Sequence, residues 1–209
     1  MTSLWQSYNM LFENRIPAPE LTNLVGSIAG TVFPHENPRI ELSPRVANLE
    51  KRDDWTRRIV FNTIFTAGFS DPDAINAAAE HGFDSGECRA AFARHYRAFI
   101  VFVAYPTPAV DFSNHIMSAL IVLTDTLHIE QVQSKRDGKA GGRGLIYALL
   151  IHLKPWARAH GIRFIRTTAT SDRSSQLFLQ NGFIEVKPHF AQDTDRYQRH
   201  LVYELPPPA

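Results

Sequence analysis

The chain has one cysteine, Cys88, in 209 residues. A single thiol cannot close an intrachain disulfide, and it leaves no cysteine set for a structural zinc. Neither sign of charge dominates. There are 22 Lys and Arg against 21 Asp and Glu, a formal net charge of +1. That balance gives no basic footprint for nucleic acid and no acidic tail. Long apolar runs are also missing. Those near Phe99–Ala104 and Ala119–Leu123 are strand-sized and too short to span a bilayer, so no membrane partner is expected. The first residues carry no basic stretch followed by an apolar one. A secretory leader is therefore not expected, and a reducing cytoplasm is. Nine histidines are present. His152, His160, His189 and His200 show no ligand spacing, and no catalytic metal is expected. Internal repeats and low-complexity segments are absent.

What is present fits one soluble globular domain over residues 1–209, with 44% apolar and 21% charged residues. Ser3–Glu13 could form a short helix. Pro17, Pro19, Pro34 and Pro38 then break up residues 1–38, read as an irregular or partly helical extension. Residues 39–97 hold a first strand at Arg39–Leu42 and then helical spacing over about Asn48–Thr66, Pro72–Glu80 and Ser85–Tyr96. Strands are expected at Phe99–Tyr105, His115–Leu123 and Leu127–Gln133. In the last of these, Leu127 and Ile129 alternate with His128 and Glu130. The next apolar residue is Val132 rather than Gln131, and an out-of-phase apolar residue predicts a β-bulge.

Gly141–Gly144 then opens an apolar-periodic helix that keeps Ile146, Leu149, Leu150, Leu153 and Ala157 on one face, with Pro155 inside it and a kink expected there. A strand at Arg163–Thr168 follows. A second helix is capped by Ser171 or Asp172 and stopped by Asn181-Gly182. Ile184–Val186 and Leu201–Leu205 are expected to pair. A glycine-rich loop at a helix N-terminus is an anion site, because its N–H groups converge and the helix dipole adds partial positive charge. The ligand should carry phosphates. Lys135, Arg136, Lys139 and Arg143 could screen them or form only a solvated basic loop. A P-loop is the weaker alternative, since Gly-Lys-Ser/Thr does not follow the glycines.

The ordered set of landmarks resembles the GNAT superfamily of N-acetyltransferases over roughly residues 98–204. The family pattern is Arg/Gln-x-x-Gly-x-Gly/Ala, a helix, a strand, and a helix ending in Gly-Phe. Gly142, Arg143, Gly144 and Leu145 match the loop. Ala148, Leu149, Leu150, Trp156, Ala157, Arg158 and Gly161 keep its spacing. Leu177, Phe178, Gly182 and Phe183 fit the second helix and its exit. Three positions depart: Gly141 stands for Arg or Gln, Ile146 for Gly or Ala, and Phe178 for a tyrosine that usually serves as general acid.

The resemblance implies an α/β fold with a mixed twisted sheet of about six or seven strands flanked by helices. It implies residues 98–205 as the acyl-CoA-binding core and acetyl-CoA, or another acyl-CoA, as co-substrate. The implied activity is N-acyl transfer to a primary amine, of a small molecule or a protein. The alternative is a non-catalytic module that holds CoA; a homodimer is left open. Cofactor contacts are expected from Val132, Gly138, Gly141, Gly142, Arg143, Gly144, Leu145, Ser171, Ser174 and Phe178. A backbone N–H near Val132 would meet the oxyanion, and the strand bulge would free backbone groups for pantetheine. Ser171 and Ser174 could equally be caps, and Phe178 core. Glu130 and His128 share a strand face. Glu130 is the candidate general base and His128 the lesser one; the plain alternative is a solvent-facing or salt-bridged edge. Tyr147 and Tyr197 are candidate proton donors, and Asp193 and Asp195 lie in an expected hairpin loop.

Overall fold

The computed structural model describes residues 15–42, 96–106, 115–136, 139–140, 144–186 and 199–207, together with Asn76, Glu80, Glu87 and Arg94. These four single residues are helical, inside the stretches expected to be so. The remainder of those stretches lies outside the described residues, as do Ser3–Glu13 and Cys88.

The elements run α1 (Ala18–Val32), β1 (Pro38–Leu42), β2 (Tyr96–Pro106), β3 (His115–Leu123), β4 (Thr126–Arg136), β5 (Lys139–Ala140), α2 (Leu145–Ala159), β6 (Phe164–Ala169), α3 (Asp172–Gln180), β7 (Ile184–Val186) and β8 (Arg199–Glu204). The sheet is eight-stranded, in the order β1-β2-β3-β4-β6-β8-β7, with β5 paired on β4. This is the expected mixed α/β sheet, one strand larger than expected because β5 forms within the loop before α2. Tyr96 begins β2 rather than ending a helix.

The segment read as irregular or partly helical holds α1, a helix of 15 residues. Its prolines sit where helices tolerate them: Pro17 is the N-cap and Pro19 lies in the first turn. Leu21, Leu24, Val25, Ile28, Ala29 and Val32 are buried along it, at the spacing of one helical face.

Among the described residues only β4 and β6 pair in parallel; the other pairs are antiparallel. A parallel pair needs a long crossover, and α2 supplies it. Leu127, Ile129, Ile165 and Leu201 of the sheet join the buried faces of α1, α2 and Phe178 of α3 in one core. The α1–α2 contact also has polar ties. His160 Nε2 meets Glu20, His160 stacks on Trp156 at 4.1 Å between ring centroids, and Thr31 Oγ1 lies 2.7 Å from His152 Nε2. Across the core, Lys154 donates to the Asn181 carbonyl at 2.8 Å. Its ammonium also sits 3.8 Å from the Tyr203 ring centre. No described helix is long and apolar enough to cross a membrane.

Candidate functional site

The pairing of β4 is the feature that builds the site. Its parallel contact with β6 covers only Thr126–Ile129 against Phe164–Thr167. The Thr167 hydroxyl donates to the Ile129 carbonyl at 2.9 Å, at the last paired row. Beyond it the two strands part. β5 takes up the same side of β4 only at Lys135. Between these points no strand among the described residues pairs with Glu130–Ser134 on that side. On its other side β4 pairs with β3, and the register slips there: Leu120 faces Ile129 while Ala119 faces Gln131. Glu130 is the extra residue. The expected bulge is present, and Glu130 forms it.

The slip also explains the hydrophobic pattern. Val132 faces Ser118 and packs against the helix-side core. It lies within the stretch that β6 leaves unpaired. Ser134, which the sequence reading passed over, has a buried Oγ with no hydrogen-bond partner among the described residues. A lone hydroxyl in a strand carries no sequence signal that would have marked it.

Glu130 does not face bulk solvent and does not sit on a sheet edge. Its side chain is 9% exposed and that of His128 is 4% exposed. Burial pushes the Glu130 carboxyl up to about 7, because the ionised form loses its hydration. Burial, then the charges of Arg166 and His200, push His128 down to about 3. His128 is thus neutral near pH 7, and its 3.6 Å approach to Glu130 is not an ion pair. It is a buried neighbour of Glu130.

Gly144 is the N-cap of α2, with φ of 71°, in the left-handed region. A Cβ there would meet no atom of the described residues within 4 Å. Leu145 begins the helix and is buried in the core. Gly138, Gly141, Gly142 and Arg143 lie outside the described residues, as do Tyr197, Asp193, Asp195 and His189. For Lys135, Arg136 and Lys139 only the backbone is described. Ser171 caps α3 by accepting from the Ser174 N–H at 3.2 Å, and Ser174 Oγ donates back to the Ser171 carbonyl at 2.9 Å. Phe178 is 2% exposed and meets Phe183 edge-on at 5.1 Å; it is a core residue. Tyr147 is exposed on α2.

A parallel pair that opens at a bulge, beside a helix entered through a left-handed glycine, completes the arrangement that the resemblance implies. No family model matches the chain, and no curated protein matches it. Solved structures similar to it include an acetyltransferase from Streptococcus agalactiae, 15% identical over 80% of this chain and 98% of that one, with a TM-score of 0.43. Another is a GNAT family acetyltransferase from Elizabethkingia anophelis with acetyl-CoA bound, 14% identical over 58% of this chain and 84% of that one, TM-score 0.38. A third is an IAA acetyltransferase from Bacillus cereus, 18% identical over 58% and 85% of the two chains, TM-score 0.37. Likenesses this distant carry no argument about acceptor or activity.

Proposed function

We propose that this protein is an acyl-CoA-dependent N-acyltransferase, moving an acetyl group from acetyl-CoA to a primary amine. The observation that supports this most is the Glu130 carboxyl, sunk at the parting of β4 and β6 with its proton affinity raised to about 7. The backbone of Glu130–Ser134, unpaired on its β6 side among the described residues, and the helix start at Gly144 suit the two ends of a pantetheine phosphate. Bound there, the co-substrate would supply an activated acyl group as a thioester.

The residues of the chain then have two tasks. Backbone N–H groups near Val132 would meet the carbonyl oxygen as charge develops on it. Glu130 would take the proton of the attacking amine. A new C–N bond forms, the C–S bond breaks, and the thiolate leaves to be protonated by water, since Phe178 has no proton to give. An alkylammonium has a pKa of about 10.4, so handing its proton to an ordinary carboxylate is uphill by about 8 kcal/mol. Handing it to a carboxyl at about 7 is uphill by about 4–5 kcal/mol. Burial therefore makes Glu130 a better base at the cost of its own stability.

The test is Glu130→Gln. We expect the rate to fall by about 10²–10⁴, with CoA affinity retained. In the wild type, turnover should rise through about pH 7 as Glu130 ionises. The variant should lack that inflection and recover partly at alkaline pH, where solution supplies the free amine. Full turnover by the variant at neutral pH would place the base elsewhere. CoA binding with no release of CoA by any amine would select a binding module instead.

A further inference from the structure

His128 differs from other histidines of the fold. His160 joins α2 to α1, with Nδ1 2.8 Å from the Trp156 carbonyl and Nε2 on Glu20. His152 of α2 meets Thr31 of α1, and His200 of β8 meets Thr168 of β6, Nδ1 to Oγ1, at 3.2 Å. Each ties one element to another. His128 ties none among the described residues. It is 3% exposed, and its Nε2 has no hydrogen-bond partner among them. Its Nδ1 lies 3.6 Å from the Glu130 carboxyl oxygen. An apolar side chain would pack at this position without burying two ring nitrogens, so the imidazole calls for a use.

The backbone fixes one partner and frees the other. His128 is paired on both sides, with Ile121 of β3 and Arg166 of β6. Glu130 is the bulge residue and pairs with neither strand. The ring is thus a fixed point two residues before a carboxyl on a looser stretch. Charge decides the form of the ring. Arg166 on β6 and His200 on β8 oppose a positive charge on His128, Asp125 acts on Arg166, and Ile121 carries none. The ring is neutral, with one proton to place. On Nε2 that proton would be a buried donor with no acceptor among the described residues. On Nδ1 it faces a carboxyl. Orphaned buried N–H groups are rarer than orphaned acceptors, so Nδ1 is the better site. A separation of 3.6 Å is longer than a hydrogen bond. Catalytic hydrogen bonds are often long before substrate arrives, and an ionised carboxylate draws a donor to about 2.7–2.9 Å. Burial raises Glu130, and the Nδ1–H dipole is placed to counter that.

We infer that His128 is a positioning residue for Glu130: its Nδ1–H holds the carboxylate at the parting of β4 and β6 and favours the ionised form that takes the amine's proton. The purpose of this contact rests on the acyl-transfer reading; its test does not.

The experiment reads the ionisation of Glu130 in the full chain without turnover. Urea unfolding across pH gives the stability gap between Glu130→Gln and its parent in two backgrounds, wild type and His128→Leu. The pH at which the gap opens should rise by about one to two units in His128→Leu, the size expected for losing one hydrogen bond to a charged group. His128 and His200 are both lowered by burial, so neither titrates above pH 7 and neither adds a slope there. His128→Asn places an amide N–H where Nδ1 stood and should restore the wild-type midpoint. His128→Gln places it where Nε2 stood and should not. Nitrogen NMR of the wild type at about pH 8 should find the His128 proton on Nδ1 and none on Nε2. With acetyl-CoA and an amine that turns over, the pH inflection of kcat should move in step with the midpoint, while KM for acetyl-CoA holds.

A midpoint that does not move in His128→Leu would overturn the inference. So would equal behaviour of the Asn and Gln variants, since that marks a structural role, or a wild-type proton on Nε2. If the variants do not fold, the wild-type spectrum decides alone. If no amine of any kind releases CoA, the acyl-transfer reading fails, and the midpoint and the spectrum still decide whether His128 holds Glu130.

Discussion

Replacing Glu130 by Gln should stabilise the folded protein, and only above a defined pH. The folded carboxyl is raised from the ordinary range to about 7 by burial. For a group raised in the folded state, stability is fully present below the unfolded pKa. It is lost as pH rises through the folded value, because the unfolded chain gives up its proton first. The window therefore runs from about 4.5 to about 7. Each pK unit is worth about 1.36 kcal/mol. Glutamine keeps the shape and carries no charge at any pH. The stability gap between Glu130→Gln and wild type should therefore widen by roughly 2–3 kcal/mol between pH 5 and pH 8.5. His128 works in the opposite sense. Its folded pKa is lowered to about 3, so its contribution is lost as pH falls below its ordinary value. The two slopes overlap in the wild type, and comparing variant with wild type at each pH isolates the carboxyl. Urea unfolding at the two pH values reads the gap directly. A gap that stays constant from pH 5 to pH 8.5 would show that Glu130 is hydrated and ordinary, and its proposed role as base would lose its physical basis.

Gly144→Ala should cost about 1–2 kcal/mol of stability, the price of a side chain in the left-handed region, although no atom of the described residues lies within 4 Å of the added Cβ. Gly144→Glu should in addition abolish the rise in melting temperature given by CoA, because a negative charge would occupy the phosphate approach. Phe178→Ala should lower stability by about 3–5 kcal/mol, as expected of a ring 2% exposed. Its turnover at a temperature where it stays folded should show no altered pH profile; a lost ionisation would contradict a purely packing role.

The bulge in β4 was legible because it leaves a mark in one strand. Val132 falls out of phase with Leu127 and Ile129, and only an extra residue restores the buried face. β3 and the β7–β8 pair were legible for the same reason, as short apolar runs between breaks. α1 was legible only in part: four prolines left residues 1–38 read as irregular or partly helical with no bounds for a helix, yet Pro17 and Pro19 occupy the cap and first turn of the helix, where the missing N–H costs nothing. The direction of Glu130 was not legible. Alternation says which face a residue takes, but what covers that face depends on the rest of the fold. The grouping of His128 with Arg166 and His200 was hidden for a related reason. Those residues come from three strands, and their register is set by two pairings that each span more than thirty positions. Nothing local in any one strand announces it.

The central claim is that an amine takes an acyl group from CoA on this protein. The most direct measurement is release of free CoA from acetyl-CoA by the wild-type chain, with and without a panel of small primary amines, with the acetylated amine identified by mass. The account predicts release that depends on the amine and falls by about 10²–10⁴ in Glu130→Gln. No amine-dependent release at any pH from 6 to 9, by a protein whose melting temperature also ignores CoA, would contradict it.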